Sequence, residues 1–546
     1  CGFAGAECAA ALGAVQRGAR RVVMLEKAAK YLGGTTRKAG GGWVWFPNNE
    51  HLRKAGVSTP PEKVLELMQA VAFPKGSADP QDLDLLRAFA FESEAVLQNL
   101  TQLEGFGVTP SKVRDPGDAE KLAPLLKSRG TGGDHQVLSE WIPSYCCDHP
   151  LDTCPTGRVL QVNGGTSKAM LACVKQAGVE VREGHSVAGL IMEGTRCVGV
   201  EVEANGQRHQ LRAGGGVVFA TGGFSWNKKL MGAAHGSTGI SGTCAAPTCT
   251  GDFAEICEEQ GIPLSAMDSA WFKQVVVPYR TDRTGVFFLS ADSFLVVDRR
   301  GKRFASEKDL YQERGLQMLG DSKAERRYVF AVFDARAREK FAGPLKGLGG
   351  AIPWLDDDYN GFFKEQNQEA LLHGKDAAEL EEKIRAKLAE VAAKGDAPFE
   401  LDPGFSAQLA ATVASFNAYA RDGRDPEFQR GERVAEWCYH VKRAPDNKFP
   451  NKTMMPLDQA GGLYCVIMGP GTLDTKGGPR ISPRAAVLGA DGQEIPGLYG
   501  AGNCVRSPTN QAYFSAGTTI AFATVFGYIA GREAASVSVG TGASRL

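Results

Sequence analysis

Two hydrogen-bond donors stand close together near the end of the chain. The stretch NQAYFSAGTT, residues 510–519, places Tyr513 four residues before Gly517 in a run of small residues. A phenol hydroxyl donates a hydrogen bond, and so does a glycine amide that no side chain shields. GLYGAGN lies just upstream. What these donors face has to be learned from the rest of the sequence.

Glycines at the start of the chain have the spacing of a phosphate-binding turn. Gly2 and Gly5 take the second and third glycine positions of a GxGxxG motif, and we expect the first glycine and its strand to precede Cys1 in the natural protein. FAGAECAAALGAVQRGA then predicts a helix, and RRVVMLE predicts a buried strand that ends at Glu26. Such glycines admit a pyrophosphate at a helix N-terminus, and the acidic residue bonds a ribose hydroxyl. The unit therefore predicts a dinucleotide site, with a plain turn between helix and strand as the alternative.

A second cluster of glycines and hydroxyls favours FAD over NAD. It is GGTTRKAGGGWVWFPNN, residues 33–49, directly after the predicted strand. Small residues can lie flat against a large ring system, and threonines can donate to phosphate or ring oxygens. An ordinary glycine-rich loop would not explain why two such loops flank one strand. The segment has no histidine, so we expect FAD to bind non-covalently, with these candidate contacts: Gly34, Thr35, Thr36, Ala39, Gly40, Gly41 and Gly42.

Composition excludes several classes of protein. The chain has 546 residues, which is more than one ordinary core requires, and 62 basic residues balance 62 acidic ones, so nothing predicts binding to nucleic acid. Thirteen cysteines are scattered without CxxC pairs or metal-ligand spacing, which predicts no metal site and a cytoplasmic setting. No apolar run approaches the ~20 residues that cross a bilayer, although peripheral membrane contact stays possible.

The middle of the chain alternates between two kinds of segment. Residues 157–223 predict a helix and then short strands joined by EG and NG turns, which form a β-meander. Val187 in this part is a candidate for a backbone contact to adenine. FATGGF ends a buried strand in a glycine-rich turn, and Asp252 lies at the N-terminus of a later predicted helix. The cofactor candidates here are Val187, Ala220, Thr221, Gly222 and Asp252.

Residues from about 270 to 445 change character. FLVVDRRGKRFASE predicts a hairpin, and two helices with charged outer faces follow. The chain then returns to glycine-rich strand and turn segments and a final apolar helix. The expected fold is α/β: a Rossmann-like FAD-binding domain with a β-meander, interrupted by an inserted α+β catalytic domain. The expected boundaries are 1–270 and 446–546 for the FAD-binding domain and 271–445 for the insertion.

The ordered set of motifs resembles one flavoprotein family. The glycine fingerprint with Glu26 is followed by GGTTRKAGGGWVW.PNN, FATGGF, V.DRRGKRFASE...Y, FNAYARDGRDPEFQRGE, GTLDTKGGPRI, GLYGAGN and AYFSAGTTIAFATVFGYIAG. This set, which covers essentially the whole chain, is similar to that of the fumarate reductases and 3-ketosteroid dehydrogenases. The spacing from Tyr513 to Gly517 resembles the Δ1-dehydrogenase branch. The resemblance adds Gly502, Asn503 and Thr518 to the candidate FAD contacts.

The resemblance also implies a reaction. Tyr513 and the Gly517 amide would hydrogen-bond the 3-keto oxygen of a steroid, which acidifies carbon 2. Tyr311 would take the carbon-2 proton, with Tyr145 as its partner, while a hydride leaves carbon 1 for the flavin and forms a 1-ene. A tyrosine at its ordinary pKa near ~10 is a poor base, so it needs such a partner. An external acceptor, quinone or dye-like, would reoxidise the flavin.

Some residues depart from this pattern and keep alternatives open. The dicarboxylate-gripping histidines of fumarate reductases are missing, and Arg480 and Arg506 lie outside the expected motif. Arg506 could recognise an acidic substrate group or pair with a carboxylate of the protein. Tyr513 with Ser515 is similar to the Δ4 (5α or 5β) dehydrogenases. A reductase of an unsaturated acid and a non-catalytic, electron-carrying flavoprotein also remain as alternatives.

Overall fold

The computed structural model describes residues 5–29, 33–38, 42–54, 59–74, 76–110, 159–236, 239–277, 291–309, 311–320, 328–342, 370–395, 397–432, 436, 447–515 and 517–540. Its helices are α1 Gly5–Gln16, α2 Gly34–Lys38, α3 Glu50–Lys54, α4 Pro61–Ala72, α5 Pro80–Thr101, α6 Thr166–Gln176, α7 Lys228–His235, α8 Asp252–Glu259, α9 Tyr311–Leu319, α10 Ala335–Ala342, α11 Ala377–Ala393, α12 Phe405–Asp422 and α13 Thr518–Gly540.

Its strands are β1 Val23–Glu26, β2 Trp43–Trp45, β3 Val108–Pro110, β4 Val159–Val162, β5 Glu180–Glu183, β6 His185–Glu193, β7 Arg196–Ala204, β8 Gln207–Arg212, β9 Val217–Phe219, β10 Gly242–Thr243, β11 Leu264–Ser265, β12 Ala270–Val276, β13 Phe294–Val297, β14 Val329–Phe333, β15 Leu371–Gly374, β16 Leu463–Thr475, β17 Gly478–Pro479, β18 Ala486–Leu488 and β19 Glu494–Gly500.

The first and last helices of the fold pack directly against each other. Both α1 and α13 are rich in alanine and glycine, so their backbones approach closely. A Cβ on Gly527 would collide with the carbonyl of Ala6, and one on Gly531 with that of Ala10. This pair brings the start of α1 beside the C-terminal part of the chain, and both helices belong to one large hydrophobic core.

Two pairs of parallel strands carry the cofactor motifs. β1 pairs with β5, with Glu26 opposite Glu183, and β9 pairs with β19, with Phe219 opposite Gly500. Parallel strands point their carboxyl ends the same way, and ligands of α/β folds bind outside those ends. The predicted Rossmann-like α/β arrangement is confirmed.

The predicted β-meander is formed by β6, β7 and β8, which are antiparallel neighbours in this order. Asn205 and Gly206, in the turn between β7 and β8, have φ values of 52° and 74°. A two-residue hairpin needs positive φ at both positions, and Asn-Gly provides it at low cost. Val187 lies within β6, next to an irregularity in its pairing with β7.

β16 is the central strand of a six-stranded sheet. It pairs with β10, β12, β14 and β15, and β13 extends the sheet from β14. The apolar run that contains Trp271 is therefore the fully buried strand β12. β16 starts at Leu463, beyond the predicted boundary at 445, yet it pairs with strands before that boundary. The boundaries 1–270, 271–445 and 446–546 stay a prediction.

The described residues lack two further features. None of their helices combines the length and the apolar character that crossing a bilayer requires. They also contain no group of three or more His, Cys, Asp or Glu side chains arranged to hold a metal ion.

Candidate functional site

The carboxyl ends of β9 and β19 bring two predicted cofactor segments side by side. Ala220, Thr221 and Gly222 follow β9, and the 3-10 turn Gly502–Cys504 follows β19. The Ala501 amide donates to the Phe219 carbonyl at 2.9 Å, which joins the segments directly after their strands. Gly222 and Gly502 both have a φ of 76°, which glycine adopts without strain.

Glu26 is a buried carboxylate at the carboxyl end of β1. Its side chain is 1% exposed, and its Oε1 accepts from the Ala28 amide at 2.7 Å. The next residue, Lys27, donates to Asp252 at 2.8 Å and to Thr250 at 2.6 Å. The predicted residues Glu26 and Asp252 are therefore neighbours, and the Asp252 carboxylate pairs with Lys27.

The start of α1 meets the second glycine cluster. The Gly5 amide donates to the Thr36 hydroxyl at 3.2 Å, so the second glycine cluster lies at the positive end of this helix. The Thr35 hydroxyl accepts from the Ala246 amide at 3.3 Å and donates to Asp474 at 3.1 Å. Thr35 thus reaches a carboxylate that the sequence analysis did not single out.

Asp474 gathers several of the predicted segments. Its side chain is fully buried, and it accepts hydrogen bonds from Asn503 at 3.1 Å, from the Ser225 hydroxyl at 2.9 Å and from the Gly223 amide at 3.2 Å. Burial raises its pKa, although the donors Asn503 and Ser225 act in the opposite direction. One carboxylate thereby fixes the turns after β9 and β19 and the start of α2, which carries Thr35.

These residues fit a bound dinucleotide. A buried acid stands at the end of the first strand, the start of α1 offers its amides, and glycines keep the backbone accessible. A Cβ on Gly502 would come within 3.2 Å of the Ala6 Cβ, so a larger residue would crowd the start of α1. Glu26 would hold the ribose, and the starts of α1 and of the Gly502 turn would face the pyrophosphate.

Tyr513 packs against Trp271 of the six-stranded sheet. Their ring centroids are 5.4 Å apart and the rings are nearly perpendicular, at 71°. The Trp271 indole N–H donates to Asn503 Oδ1 at 3.0 Å, and Asn503 in turn donates to Asp474. A chain of contacts therefore runs from the candidate catalytic tyrosine to the candidate cofactor residues.

A buried lysine lies on the other side of this chain of contacts. Lys476 Nζ is 4.0 Å from the centroid of the Trp271 ring. It donates to the Thr509 hydroxyl at 3.1 Å and to the Ala512 carbonyl, next to Tyr513, at 3.4 Å. Burial lowers the pKa of this amine well below its ordinary value. Lys476 therefore fixes the loop that carries Tyr513, and its amine lies over the face of the Trp271 ring.

Gly517 forms the tight turn that starts α13. Its φ is +85°, and a Cβ there would lie 2.7 Å from Val44 Cα and 2.8 Å from the Trp43 carbonyl carbon. The Gly517 carbonyl accepts from the Trp45 amide at 3.3 Å. Within the described residues no acceptor is found for the Gly517 N–H. The amide is thus a donor at the positive end of a 23-residue helix.

Thr518 has a capping role in this turn. Its hydroxyl donates to the Ser515 carbonyl at 2.7 Å and accepts from the Ser515 amide at 2.9 Å. Both bonds hold the chain between Tyr513 and Gly517. The predicted contact of Thr518 with FAD stays a prediction, and the contacts described for its hydroxyl position the loop.

Tyr311 is the first residue of α9, and a buried ionic network precedes it. Arg303 donates to Glu307 at 2.7 Å and to Asp425 at 2.7 Å, while Arg430 donates to Glu307 at 3.0 Å. Burial raises the pKa of Glu307, but Arg303 and Arg430 outweigh it and hold the pKa below its ordinary value. The network fixes the segment that leads into α9.

Gln312 connects the start of α9 with the Tyr513 loop. Its amide nitrogen donates to the Gln511 carbonyl at 2.9 Å. The structure thus brings the backbones that carry Tyr311 and Tyr513 together. The other predicted residues Gly2, Ala39, Gly40, Gly41 and Tyr145 lie outside the described residues.

Both arginines that departed from the family pattern are paired with carboxylates of the protein. Arg506 contacts Asp82 at 2.6 Å and Asp79 at 3.4 Å, and Arg480 contacts Asp79 at 2.7 Å. Burial raises the pKa of Asp82 to about 6, against the attraction of Arg506. Of the two roles considered for Arg506, pairing with a carboxylate of the protein is the one observed.

A cavity adjoins these residues. Its walls include Trp271, Asn503, Arg506, Phe522 and Phe526. Phe522 and Phe526 of α13 and Trp271 of β12 give the wall apolar surface, and Asn503 and Arg506 give it polar groups. Trp271, which packs against Tyr513, and Asn503, which accepts from Trp271, therefore both line this cavity.

Sequence reasoning missed Asp474, Trp271, Lys476 and Gln312. Asp474 and Lys476 lie in GTLDTKGG, which contributed to the family resemblance without receiving a role. The available signal was a carboxylate and an amine in a segment whose other residues are small or apolar. Trp271 and Gln312 have no local signal, because their partners come from distant parts of the chain.

Comparisons with known proteins give one family. The family model described as "FAD binding domain" matches residues 1–520. A 3-oxosteroid 1-dehydrogenase of Mycolicibacterium smegmatis is 28% identical over 98% of this chain and 96% of its own length. A 4-oxocyclohexanecarboxylate 2-dehydrogenase of Sinomonas cyclohexanicum is 30% identical over 98% of this chain and 92% of its own length.

A solved structure has the same fold. It is that of a 3-ketosteroid Δ1-dehydrogenase from Sterolibacterium denitrificans in complex with 1,4-androstadiene-3,17-dione. The match has a TM-score of 0.71 and 22% identity, and it covers 98% of each chain. The similarity extends over the described FAD-type domain and the six-stranded sheet together.

Proposed function

Because this chain belongs to the FAD-binding flavoprotein family, we propose that it is an FAD-dependent dehydrogenase of a 3-ketosteroid ring, forming a 1-ene. Relatives that match nearly the whole chain act on the CH–CH bond beside a ring ketone, as their names state. Both names share a cyclic ketone as substrate, and this shared chemistry sets the reaction class. The family and FAD, predicted from the sequence, are confirmed by the family match.

The Gly517 turn is the observation that carries this proposal. It presents an N–H at the start of α13, and Tyr513 precedes it by four residues against the ring of Trp271. A ketone oxygen gains negative charge as the neighbouring carbon loses its proton, and preorganised donors stabilise that charge. The helix N-terminus adds a field of the right sign. Tyr513 and Gly517 would thus hold and polarise the ketone.

Tyr311 is the proposed base for the carbon-2 proton. Its backbone is fixed by the Arg303–Glu307 network and by the hydrogen bond from Gln312 to Gln511. Tyr145 is the proposed partner that lowers the cost of ionising this base, because an isolated phenol holds its proton too tightly at neutral pH. Removing this proton leaves an enolate-like oxygen between Tyr513 and Gly517.

Bound FAD would supply the acceptor for the hydride from carbon 1. The chain itself would bind FAD, through Glu26, the start of α1 and the turns that Asp474 fixes. Electrons would then pass to an external acceptor of quinone or dye-like character. That acceptor, a cytoplasmic location and a peripheral membrane contact are parts of the proposal.

A ring ketone with a carboxylate is the second candidate substrate, and the Sinomonas relative favours it. A substrate carboxylate needs an available cation. Arg506 lines the cavity beside Trp271, but its charge already faces Asp79 and Asp82. Because this cation is internally compensated, an uncharged ring such as that of a steroid is the better match.

The test is substrate oxidation by wild type and Tyr513→Phe. The purified holoenzyme is mixed anaerobically with a saturated 3-ketosteroid, and the product is identified by NMR. We expect a 1-ene from wild type and a rate lower by ~100-fold or more in the variant, as for loss of an oxyanion donor. A product double bond between carbons 4 and 5 would instead assign the Δ4 reaction. An unchanged rate in Tyr513→Phe would refute the role of the hydroxyl.

A further inference from the structure

Gln312 is a buried glutamine that joins three segments of the chain. Its side chain is 2% exposed. The amide nitrogen donates to the Ala270 carbonyl at 3.1 Å and to the Gln511 carbonyl at 2.9 Å. The amide oxygen accepts from the Phe272 amide at 2.8 Å. Each of the two N–H bonds and the oxygen therefore has a backbone partner.

An irregularity in β12 explains the bond with Phe272. The pairing of β12 with β16 shifts register between Trp271 and Phe272. Such a bulge leaves backbone groups outside the regular ladder, and a buried amide without an acceptor is costly. Gln312 supplies this acceptor from α9, so the bulge and the helix depend on each other.

The partners of Gln312 surround the proposed reaction centre. Tyr311 directly precedes it, Gln511 lies two residues before Tyr513, and Trp271, between Ala270 and Phe272, packs against Tyr513. We propose that Gln312 is a positioning residue that fixes the start of α9, and with it Tyr311, relative to the loop that carries Tyr513. The consequence for catalysis rests on the proposed function, whereas the mechanical link does not.

Gln312 and Lys476 hold neighbouring carbonyls of the same loop from different elements. Lys476, which follows β16, donates to Ala512, while Gln312 on α9 donates to Gln511. Lys476 therefore orders the loop itself, and Gln312 ties the loop to the helix. A base and a carbonyl-binding group must keep a fixed separation, because an error of about 1 Å can cost ~100-fold in rate.

The test compares Gln312→Met and Gln312→Glu with the control Gln317→Ala. Methionine removes all three hydrogen bonds, and glutamate keeps the acceptor for Phe272 but loses both donors. Gln317 lies on the same helix and donates to the Asp309 carboxylate at 2.7 Å. Gln312→Glu serves as the second variant if Gln312→Met does not fold.

Amide hydrogen exchange of the holoenzymes gives the readout that does not depend on turnover. We expect exchange in residues 509–515 to rise by ~10-fold or more in both Gln312 variants, since local opening becomes easier. The Phe272 amide should exchange faster in Gln312→Met than in Gln312→Glu. In Gln317→Ala, residues 509–515 and the Phe272 amide should exchange at wild-type rates. Exchange in residues 509–515 that stays at wild-type rates in the Gln312 variants would overturn the proposal.

Kinetics with a 3-ketosteroid deuterated at carbon 2 give the second readout. A displaced base slows proton removal, so kcat should fall by ~10–100-fold while KM changes less than ~3-fold. The deuterium effect on kcat should increase in the Gln312 variants. Equal losses in kcat and flavin content with an unchanged isotope effect would show a merely structural residue and overturn the positioning role. If wild type oxidises no ketone, the proposed function fails and hydrogen exchange still decides the link.

Discussion

The Thr35 hydroxyl donates to the Asp474 carboxylate at 3.1 Å, although the two residues are 439 positions apart in the chain. Thr35 belongs to the second glycine cluster, and Asp474 is the second-last residue of β16, the central strand of the six-stranded sheet. The same carboxylate accepts from Asn503 of the turn after β19. One buried group therefore unites the cofactor loops with the sheet that carries Trp271.

Replacing Asp474 by asparagine is expected to weaken this junction. A carboxylate has two accepting oxygens, but an asparagine side chain has only one. The donors that now face the replaced oxygen therefore lose their acceptor. We expect a loss of ~1–3 kcal/mol in the free energy of unfolding and a lower flavin content after purification. Denaturant unfolding and flavin absorbance measure the two effects. Asp84→Asn, at an exposed position of α5, should change neither, and an Asp474→Asn protein with wild-type stability and flavin would contradict this role.

Asp82 and Asp79 should give opposite pH dependences of stability. Burial raises the pKa of Asp82 to about 6, so its protonated form favours folding, and this contribution is lost as pH rises from about 4 through 6. Relative to Asp82→Asn, wild type should lose ~2–3 kcal/mol of unfolding free energy between about pH 4 and pH 7. Urea unfolding at both pH values measures the difference.

Asp79 is the matched control in the same cluster. Burial raises its pKa, but the hydrogen bonds from Arg480 and the Gln81 amide outweigh burial and hold the pKa below its ordinary value. The ionised Asp79 side chain therefore stabilises the folded protein at pH values above the pKa of the unfolded state, and this stabilisation is lost as pH falls. The stability advantage of wild type over Asp79→Asn should shrink toward low pH. The same slope for both variants would refute the described pairing.

Alanine substitutions at Gly517 and Gly492 distinguish the cost of backbone strain from the cost of a steric clash. Both have positive φ, +85° and +75°, but a Cβ at Gly492 meets nothing within 4 Å, whereas one at Gly517 meets Val44 and Trp43. We expect Gly492→Ala to cost ~1–2 kcal/mol of stability from strain alone. Gly517→Ala should cost ~1–3 kcal/mol more and abolish ketone oxidation. Equal thermal stability of the two variants would contradict the tight turn.

Glu26 is expected to contribute to FAD affinity through its charge. Glu26→Gln keeps the shape and loses a charged acceptor, which should weaken FAD binding by ~10-fold or more. Titration of apoprotein with FAD measures this. Glu183 lies opposite Glu26 in the register of β1 and β5 but is exposed. Glu183→Gln should bind FAD as wild type does; an equal loss in both variants would point to the strand pair and not to the carboxylate.

Local patterns were sufficient to predict much of this fold. Glu26 follows a short apolar strand and a glycine-rich helix start, and all three lie within one stretch of the chain. The Asn205–Gly206 turn likewise marks the meander, because its residue types match the φ values that the turn needs. The Tyr513–Gly517 spacing was visible for the same reason.

Long-range partners could not be predicted. Asp474 has donors from three other parts of the chain, which contain Thr35, Ser225 and Asn503, and no spacing rule relates such positions. The pairing of Arg506 with Asp82 also depends on how α5 packs near β17. The sequence left two roles open for Arg506: binding an acidic group of the substrate or pairing with a carboxylate of the protein. Only the three-dimensional structure shows that Asp82 lies next to it. Strand β16 likewise pairs with strands on the other side of the predicted domain boundary, since strand pairing is set by the sheet.

The central claim is oxidation of an uncharged ring ketone, and the most direct measurement is anaerobic bleaching of the flavin. The purified holoenzyme is mixed in parallel with a saturated 3-ketosteroid and with 4-oxocyclohexanecarboxylate, and the oxidised flavin band is followed in time. The account predicts fast bleaching by the steroid, slow or no bleaching by the acid, and loss of the steroid reaction in Tyr513→Phe. Bleaching by the acid alone, or no bleaching by either ketone with reoxidation of reduced flavin by a small unsaturated acid, would contradict it.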